Sequence, residues 1–307
     1  RLDHARTAFD WKNATRPAPA ARTPQARTCE RREPVPMVNF GAGHARGILH
    51  RLAPPDRFHH ARHPADGPLA AFVQHYWIVR WNLAGHPPQL QETLPHPNVY
   101  LVFEPGITGV HGVAKGRYTR FLEGDSFAFG VKFRPGGFRP FLGRAVSTLT
   151  GRSLPLEAVF GASAAGLERA VLDATDEHAM IALARAFLLE RLPPPDPEVA
   201  RVASIVDGIA ADRGLTRVDA LAERHGLGPR ALQRLFGEYV GVGPKWVINR
   251  YRLHEAVDQL AEGRAVDWSA LALDLGYFDQ AHFIRDFRAL VGRTPGDFAR
   301  DLNARRA

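Results

Sequence analysis

Apolar positions change period along the chain. Between residues 70 and 134 they alternate. Segment 72–81 places Val73, His75, Trp77, Val79 and Trp81 on one face, and segment 98–103 is a short apolar run after a Pro-His-Pro turn. Segment 126–133 sets Phe127, Phe129, Val131 and Phe133 against Ala128, Gly130 and Lys132. Period-2 stretches bounded by Gly and Pro predict half-buried strands. Arg134-Pro135-Gly136-Gly137 predicts a turn. Helices are predicted over 163–173 and 176–191, before Pro193, Pro194, Pro195 and Pro197 interrupt regular structure. Beyond Pro197 the period becomes helical: Val199, Val202, Val206 and Ile209 form a stripe, and six or seven short helices fit up to residue 302 with no strand signal. The expected class is α+β, a β-rich sensor-like domain followed by an all-α domain. The expected segments are a basic disordered tail over 1–36, a β-rich domain over 37–192, a proline linker over 193–197 and a helical domain over 198–307.

Two helix pairs stand out in the last third. In 217–239, Val218, Leu221 and Ala222 make an apolar face, Gly226 sits where a helix needs a stop with positive φ, and Gly228-Pro229 restarts the chain. Leu232, Leu235, Phe236 and Tyr239 then share a face, which turns Arg230, Gln233 and Arg234 outward. The logic repeats in 268–291, with Trp268, Leu271, Ala272 and Leu275, a turn at Gly276, and an inner face of Phe283, Phe287, Leu290 and Val291. Gln280 and Arg285 face outward there; Asp279 reads as an N-cap and His282 as a candidate phosphate contact. Two helices joined by a short Gly turn predict a helix-turn-helix, and Arg and Gln are the side chains that bond bidentately to guanine and adenine edges. A helix from about Pro244 to Glu262, with Val247, Tyr251, Val257 and Leu260 inward, would separate the two copies.

Charge changes this picture in one respect. The chain carries +8, but residues 1–36 hold +4, residues 37–195 hold +4 and residues 196–307 hold zero. Any DNA contact in the last third must therefore come from placement of individual cations, not from bulk attraction. The single cysteine, Cys29, excludes an internal disulfide framework and cysteine-based zinc sites, which fits a reducing cytoplasm. No apolar run is long enough for a membrane helix, and no cleavable leader is evident; Met37 is a candidate translation start.

The run Leu232-Gln233-Arg234-Leu235-Phe236, followed by Gly241, Pro244 and Arg252, resembles the DNA-binding domain of the AraC/XylS family of bacterial regulators. So do Leu275-Gly276-Tyr277, Asp279-Gln280-Ala281-His282-Phe283, Arg285, Phe287 and Gly292-Arg293-Thr294-Pro295. The resemblance covers one third of the chain. It implies two recognition helices in the major groove of a double-stranded operator, with Arg230, Gln233, Arg234, Gln280 and Arg285 as base-reading candidates. Ile284 departs from the small polar residue many relatives carry there. Leu94-Pro95-His96-Pro97-Asn98 and the stretch Gly130 to Gly137 resemble an uncharacterised domain that often precedes this module.

The amino-terminal half is expected to sense a small-molecule effector. Trp77, Trp81, Phe103, Phe129 and Phe133 are the candidate apolar lining, with Glu104 and Arg134 at strand ends to fix a polar group. The bland alternative is that the aromatics fill a core, leaving homodimerisation or contact with RNA polymerase as the domain's role. No cofactor is expected. The fourteen histidines include no HExxH motif, so no metal is expected either. An enzymatic alternative, a DNA-repair methyl acceptor fused to the same module, has only Cys29 as nucleophile.

Overall fold

The computed structural model describes residues 57–261 and 267–304. The expected tail, Met37 and Cys29 lie outside the described residues. The first half contains β1 (Phe58–Pro64), β2 (Val73–Leu83), β3 (Gln89–Thr93), β4 (Tyr100–Phe103), β5 (Gly109–His111), β6 (Tyr118–Leu122) and β7 (Gly124–Phe133). Next come α1 (Arg139–Leu142), β8 (Ser153–Leu154), α2 (Leu156–Phe160), α3 (Ser163–Asp173) and α4 (Glu177–Glu190). Six strands make one antiparallel sheet in the order β1-β2-β7-β4-β5-β8, and β3 pairs with β6 as a separate ribbon. The second half is helical: α5 (Pro197–Ala211), α6 (Val218–Arg224), α7 (Pro229–Tyr239), α8 (Pro244–Ala261), α9 (Trp268–Asp274), α10 (Gln280–Val291) and α11 (Pro295–Ala304). A β-rich region followed by a helical one is the class the periodicity predicts. No helix among the described residues is long and apolar enough to cross a membrane.

One sheet face and the helices after it share a core of Tyr76, Ile78, Leu101, Phe103, Phe129, Val131 and Phe133 with Leu167, Val171, Met180 and Leu188. The faces of 126–133 fall as the alternation predicts. Those of 72–81 do not. A register shift between Val73 and His75 breaks the alternation, so that Val73, Tyr76 and Ile78 enter this core. Trp77, Val79 and Trp81 turn to the opposite face, where Trp81 packs with Leu83, Leu122 and Ala128. A bulge inserts one residue and exchanges the faces of everything on one side of it.

The helical half has two small cores, and α8 serves both. Val247 and Ile248 pack with Ile205, Leu221, Leu232 and Phe236, whereas Leu253, Ala256, Val257 and Leu260 pack with Leu271, Phe283, Phe287 and Phe298. Of the positions expected inward, Val247, Val257 and Leu260 are buried and Tyr251 is half-buried against the first core. Between the two groups lies Arg252, 1% exposed. Its Nη2 donates to the carbonyls of Ile209 (2.6 Å) and Asp212 (2.8 Å), and Nη1 to Glu255 Oε2 at 2.9 Å. The last carbonyls of a helix have no partner in that helix; Arg252 satisfies two at the end of α5. Burial works against its charge, and Glu255 and Asp212 offset that cost.

The sheet domain grips both helix pairs. At the first, Arg139 pairs with Glu238 of α7 at 2.7 Å, and Thr150 Oγ1 donates to the Gly241 carbonyl at 2.6 Å. At the second, buried Glu92 of β3 meets Arg117 at 3.0 Å and Arg293 at 3.1 Å, while Arg117 Nη1 donates to the Val291 carbonyl at 2.8 Å. Val113 and Leu94 of the sheet domain enter the first and second helical cores respectively. The prolines after Leu192 lead directly into α5, whose N-cap Asp196 accepts from Glu198 N and from the Tyr239 hydroxyl at 2.8 Å.

Two outcomes are expected in urea unfolding. Arg252→Ala leaves the Ile209 carbonyl without its donor, the Asp212 carbonyl with Leu215 N alone and Glu255 with Arg213 alone, and lowers stability by about 1–3 kcal/mol, the scale for an unmade buried hydrogen bond. Glu92→Ala leaves Arg117 and Arg293 facing each other and costs about 1–3 kcal/mol, with faster hydrogen exchange concentrated in α10 and α11.

Candidate nucleic-acid interface

In the first helix pair, Gly226 adopts φ 61° and ends the turn after α6, and the Leu227 amide reaches back to the Ala222 carbonyl at 2.9 Å. Only a residue without a Cβ takes that backbone cheaply. Gly228 then caps α7, with Pro229 at its first position. Leu232 and Phe236 are fully buried, which fixes the rotation of α7 and leaves Arg230, Gln233 and Arg234 exposed.

The second pair follows the same construction. Gly276 has φ 78°, and Tyr277 N donates to the Ala272 carbonyl at 2.9 Å. Asp279 caps α10, accepting from His282 N at 2.7 Å. Phe283, Phe287, Leu290 and Val291 are buried. Arg285 is exposed, and Gln280 is half-buried with its Oε1 3.2 Å from Ser269 Oγ. His282 stands edge-on to Tyr277, ring centroids 5.2 Å apart, and 3.6 Å from Asp286. Ile284 lies half-buried on the same outer surface as Arg285 and Arg288, with Ala281 and Ala289 beside them.

The six residues therefore divide three and three. Arg230, Gln233 and Arg234 share the outer face of α7; Gln280, His282 and Arg285 lie on α10. The sheet domain meets α7 at Glu238, and Ala145 and Ser147 border a hollow that also touches Ala231, Arg234 and Glu238. The sequence reading missed exposed Arg288, which extends the cationic edge of α10, although its position one turn after Arg285 marks it. It also missed Glu92 and Arg117, whose role depends on contacts some 200 residues distant along the chain, as between Glu92 and Arg293.

The candidate effector residues do not form one site. Phe103, Phe129 and Phe133 are fully buried in the sheet–helix core, whereas Trp77 and Trp81 lie across the sheet. Glu104 accepts from Arg120 at 2.7 Å, and Arg134 Nε donates to the Ala70 carbonyl at 2.7 Å, so both polar candidates hold protein partners. Burial raises Glu104 above the usual carboxylate range despite Arg120. Among the described residues no group of three or more His, Cys, Asp or Glu is placed to hold a metal; His59 and His63 reach the same carboxylate, Glu177.

Residues 221–301 match the helix-turn-helix domain family, and residues 61–155 match a domain of unknown function, DUF6597. A comparison with curated proteins finds no match. Solved structures of ToxT from Vibrio cholerae align at low identity. One has 9% identity over 79% of this chain and 98% of that chain, with a TM-score of 0.34. Another, bound to (E)-4-(8-methylnaphthalen-1-yl)but-3-enoic acid, has 10% identity over 80% and 99%, with a TM-score of 0.32. The match over 221–301 and the two Gly-turned pairs behind it make the carboxy-terminal domain a helix-turn-helix domain of the AraC type, the module with which transcription regulators bind DNA.

Proposed function

We propose that the chain binds a specific operator by inserting α7 and α10 into successive major grooves, and that its sheet domain modulates this binding in response to a small-molecule effector. The carrying observation is the duplicated arrangement: exposed Arg230, Gln233 and Arg234 over a buried apolar face on α7, and exposed Arg285 with half-buried Gln280 over another on α10. A single helix of 18 residues, α8, joins the two pairs. Its length, about 27 Å at 1.5 Å per residue, suits two reading elements set near the ~34 Å of one DNA turn. Arg230, Gln233 and Arg234 are the proposed base readers of the first helix, Gln280 and Arg285 those of the second. His282 and Arg288 are assigned to phosphate. Modulation belongs to the sheet domain because it touches both pairs; dimerisation through it would act on the same contacts.

Genome-wide footprinting of the purified chain identifies the operator, after which two variants separate reading from folding. Arg234→Ala is expected to weaken operator binding by about 1–3 kcal/mol, with relaxed preference at one base pair and an unchanged melting temperature. An equal loss on every sequence would reduce Arg234 to a phosphate contact. Phe236→Ala, by contrast, opens a cavity in the first helical core and is expected to cost about 3–5 kcal/mol of stability, abolishing binding through unfolding. Retention of full stability would show the apolar face of α7 to be misassigned.

A further inference from the structure

The two reading helices repeat one another position by position. Leu232, Phe236 and Val240 of the first unit are buried, and so are Phe283, Phe287 and Val291 at the same spacing in the second. Gly241 and Gly292 follow with φ 93° and 84°, and Pro244 and Pro295 then open the next helix of each unit. The buried residues fix the same rotation in α7 and α10, so each outer residue of one helix has a counterpart on the other. Arg234 corresponds to Arg285, Gln233 to Ile284 and Arg230 to Ala281.

Arg285 keeps the chemistry of its counterpart, and the other two positions lose it. An amide such as Gln233 takes adenine through two hydrogen bonds; isoleucine makes none. Ile284 is nevertheless not withdrawn from the surface. It is half-buried, with its inner side packed on the second helical core and its outer side bordering a hollow with Ala281, Arg285, Arg288 and Ala289, all exposed. The outer face of α10 is thus an apolar strip, Ala281, Ile284 and Ala289, set against two arginines. Such a strip is costly to press against base edges, because donors and acceptors lose water and gain no partner. It suits one group in the major groove, the 5-methyl of thymine. Ile284 is also held in place: its β-branch and its contact with the core leave few rotamers to lose on binding.

We propose that Ile284 reads a thymine through its 5-methyl group, on the base pair beside the one met by Arg285. α7 then selects by hydrogen bonds from Arg230, Gln233 and Arg234, and α10 by an arginine and a methyl contact. Cytosine at that position lacks the methyl and brings its N4 amine toward an apolar surface, so it is rejected. The inference rests on the insertion of α10 into the major groove proposed above and names what that helix selects.

The test uses the full chain and its footprinted operator, with each thymine in turn replaced by deoxyuridine. The exchange removes the methyl group and leaves base pairing and the O4 acceptor intact. Fluorescence anisotropy titration gives the affinity of the parent, Ile284→Ala and Ile284→Gln for every duplex. One exchange is expected to weaken the parent about 4-fold, the scale of one buried methyl group, and to leave the affinity of both variants unchanged. Comparing thymine with uracil within one variant cancels any loss of folded protein, and Ile284→Gln keeps an aliphatic stem on the core should Ile284→Ala fold poorly. No loss at any thymine in the parent, or losses that all persist in the variants, would overturn the proposal. In that event weaker operator binding by Arg285→Ala confines the failure to Ile284, whereas unchanged binding extends it to the placement of α10.

Discussion

The placement of both helix pairs depends on a buried guanidinium. Arg252 sits where α8 passes from the first helical core to the second, and its fork holds the end of α5 while its neighbour Glu255 balances the charge. An apolar side chain would fill the volume but leave the buried Ile209 carbonyl without its donor, which is costly. A lysine would carry the charge but lacks the planar fork that meets three acceptors together. With α5 fixed to the middle of α8, the two cores cannot slide along the strut independently. The relation between α7 and α10 is set by packing on a common axis.

How much of this was legible in the sequence follows from the range of the forces. The helical faces were readable because period 3.6 is a local property: Leu232 and Phe236, Phe283 and Phe287 fall inward as spaced. The Gly226 and Gly276 turns were readable for the same reason. In the sheet, strand identity was legible but facing was not. The shift between Val73 and His75 arises from pairing with β7, far along the chain, and it reverses the faces that simple alternation assigns. Aromatics expected to line one pocket therefore lie on both sides of the sheet. Glu104 and Arg134 looked available because nothing in the sequence announces Arg120 or the Ala70 carbonyl as their partners. Arg252 was visible as part of a family resemblance, yet its burial was not, since arginine is among the residues least often buried.

The contacts between domains are unlike on the two sides. Toward α7 they are a half-exposed ion pair and one hydroxyl bond at the helix end, with Val113 inserted in the first core. Toward α10 they form a buried carboxylate shared by two arginines, with Leu94 inserted in the adjacent core. Solvent and salt screen exposed pairs far more than buried ones. The ionic part of the hold on the first pair is thus sensitive to salt, and that of the second resists it.

The bond from Arg117 to the Val291 carbonyl places a cation at the carboxy end of α10, where the helix dipole favours it. It also makes α10 a lever. The ribbon holds one end, and the residues at the other end, Gln280 and His282, are those assigned to DNA. The helix is twelve residues long, about 18 Å along the axis, so a tilt of ~10° at the pivot displaces the tip by roughly 3 Å. That is the length of one hydrogen bond. A change too small to alter the fold of the sheet domain is, at the far end of this helix, large enough to move a side chain from one base pair's edge to none.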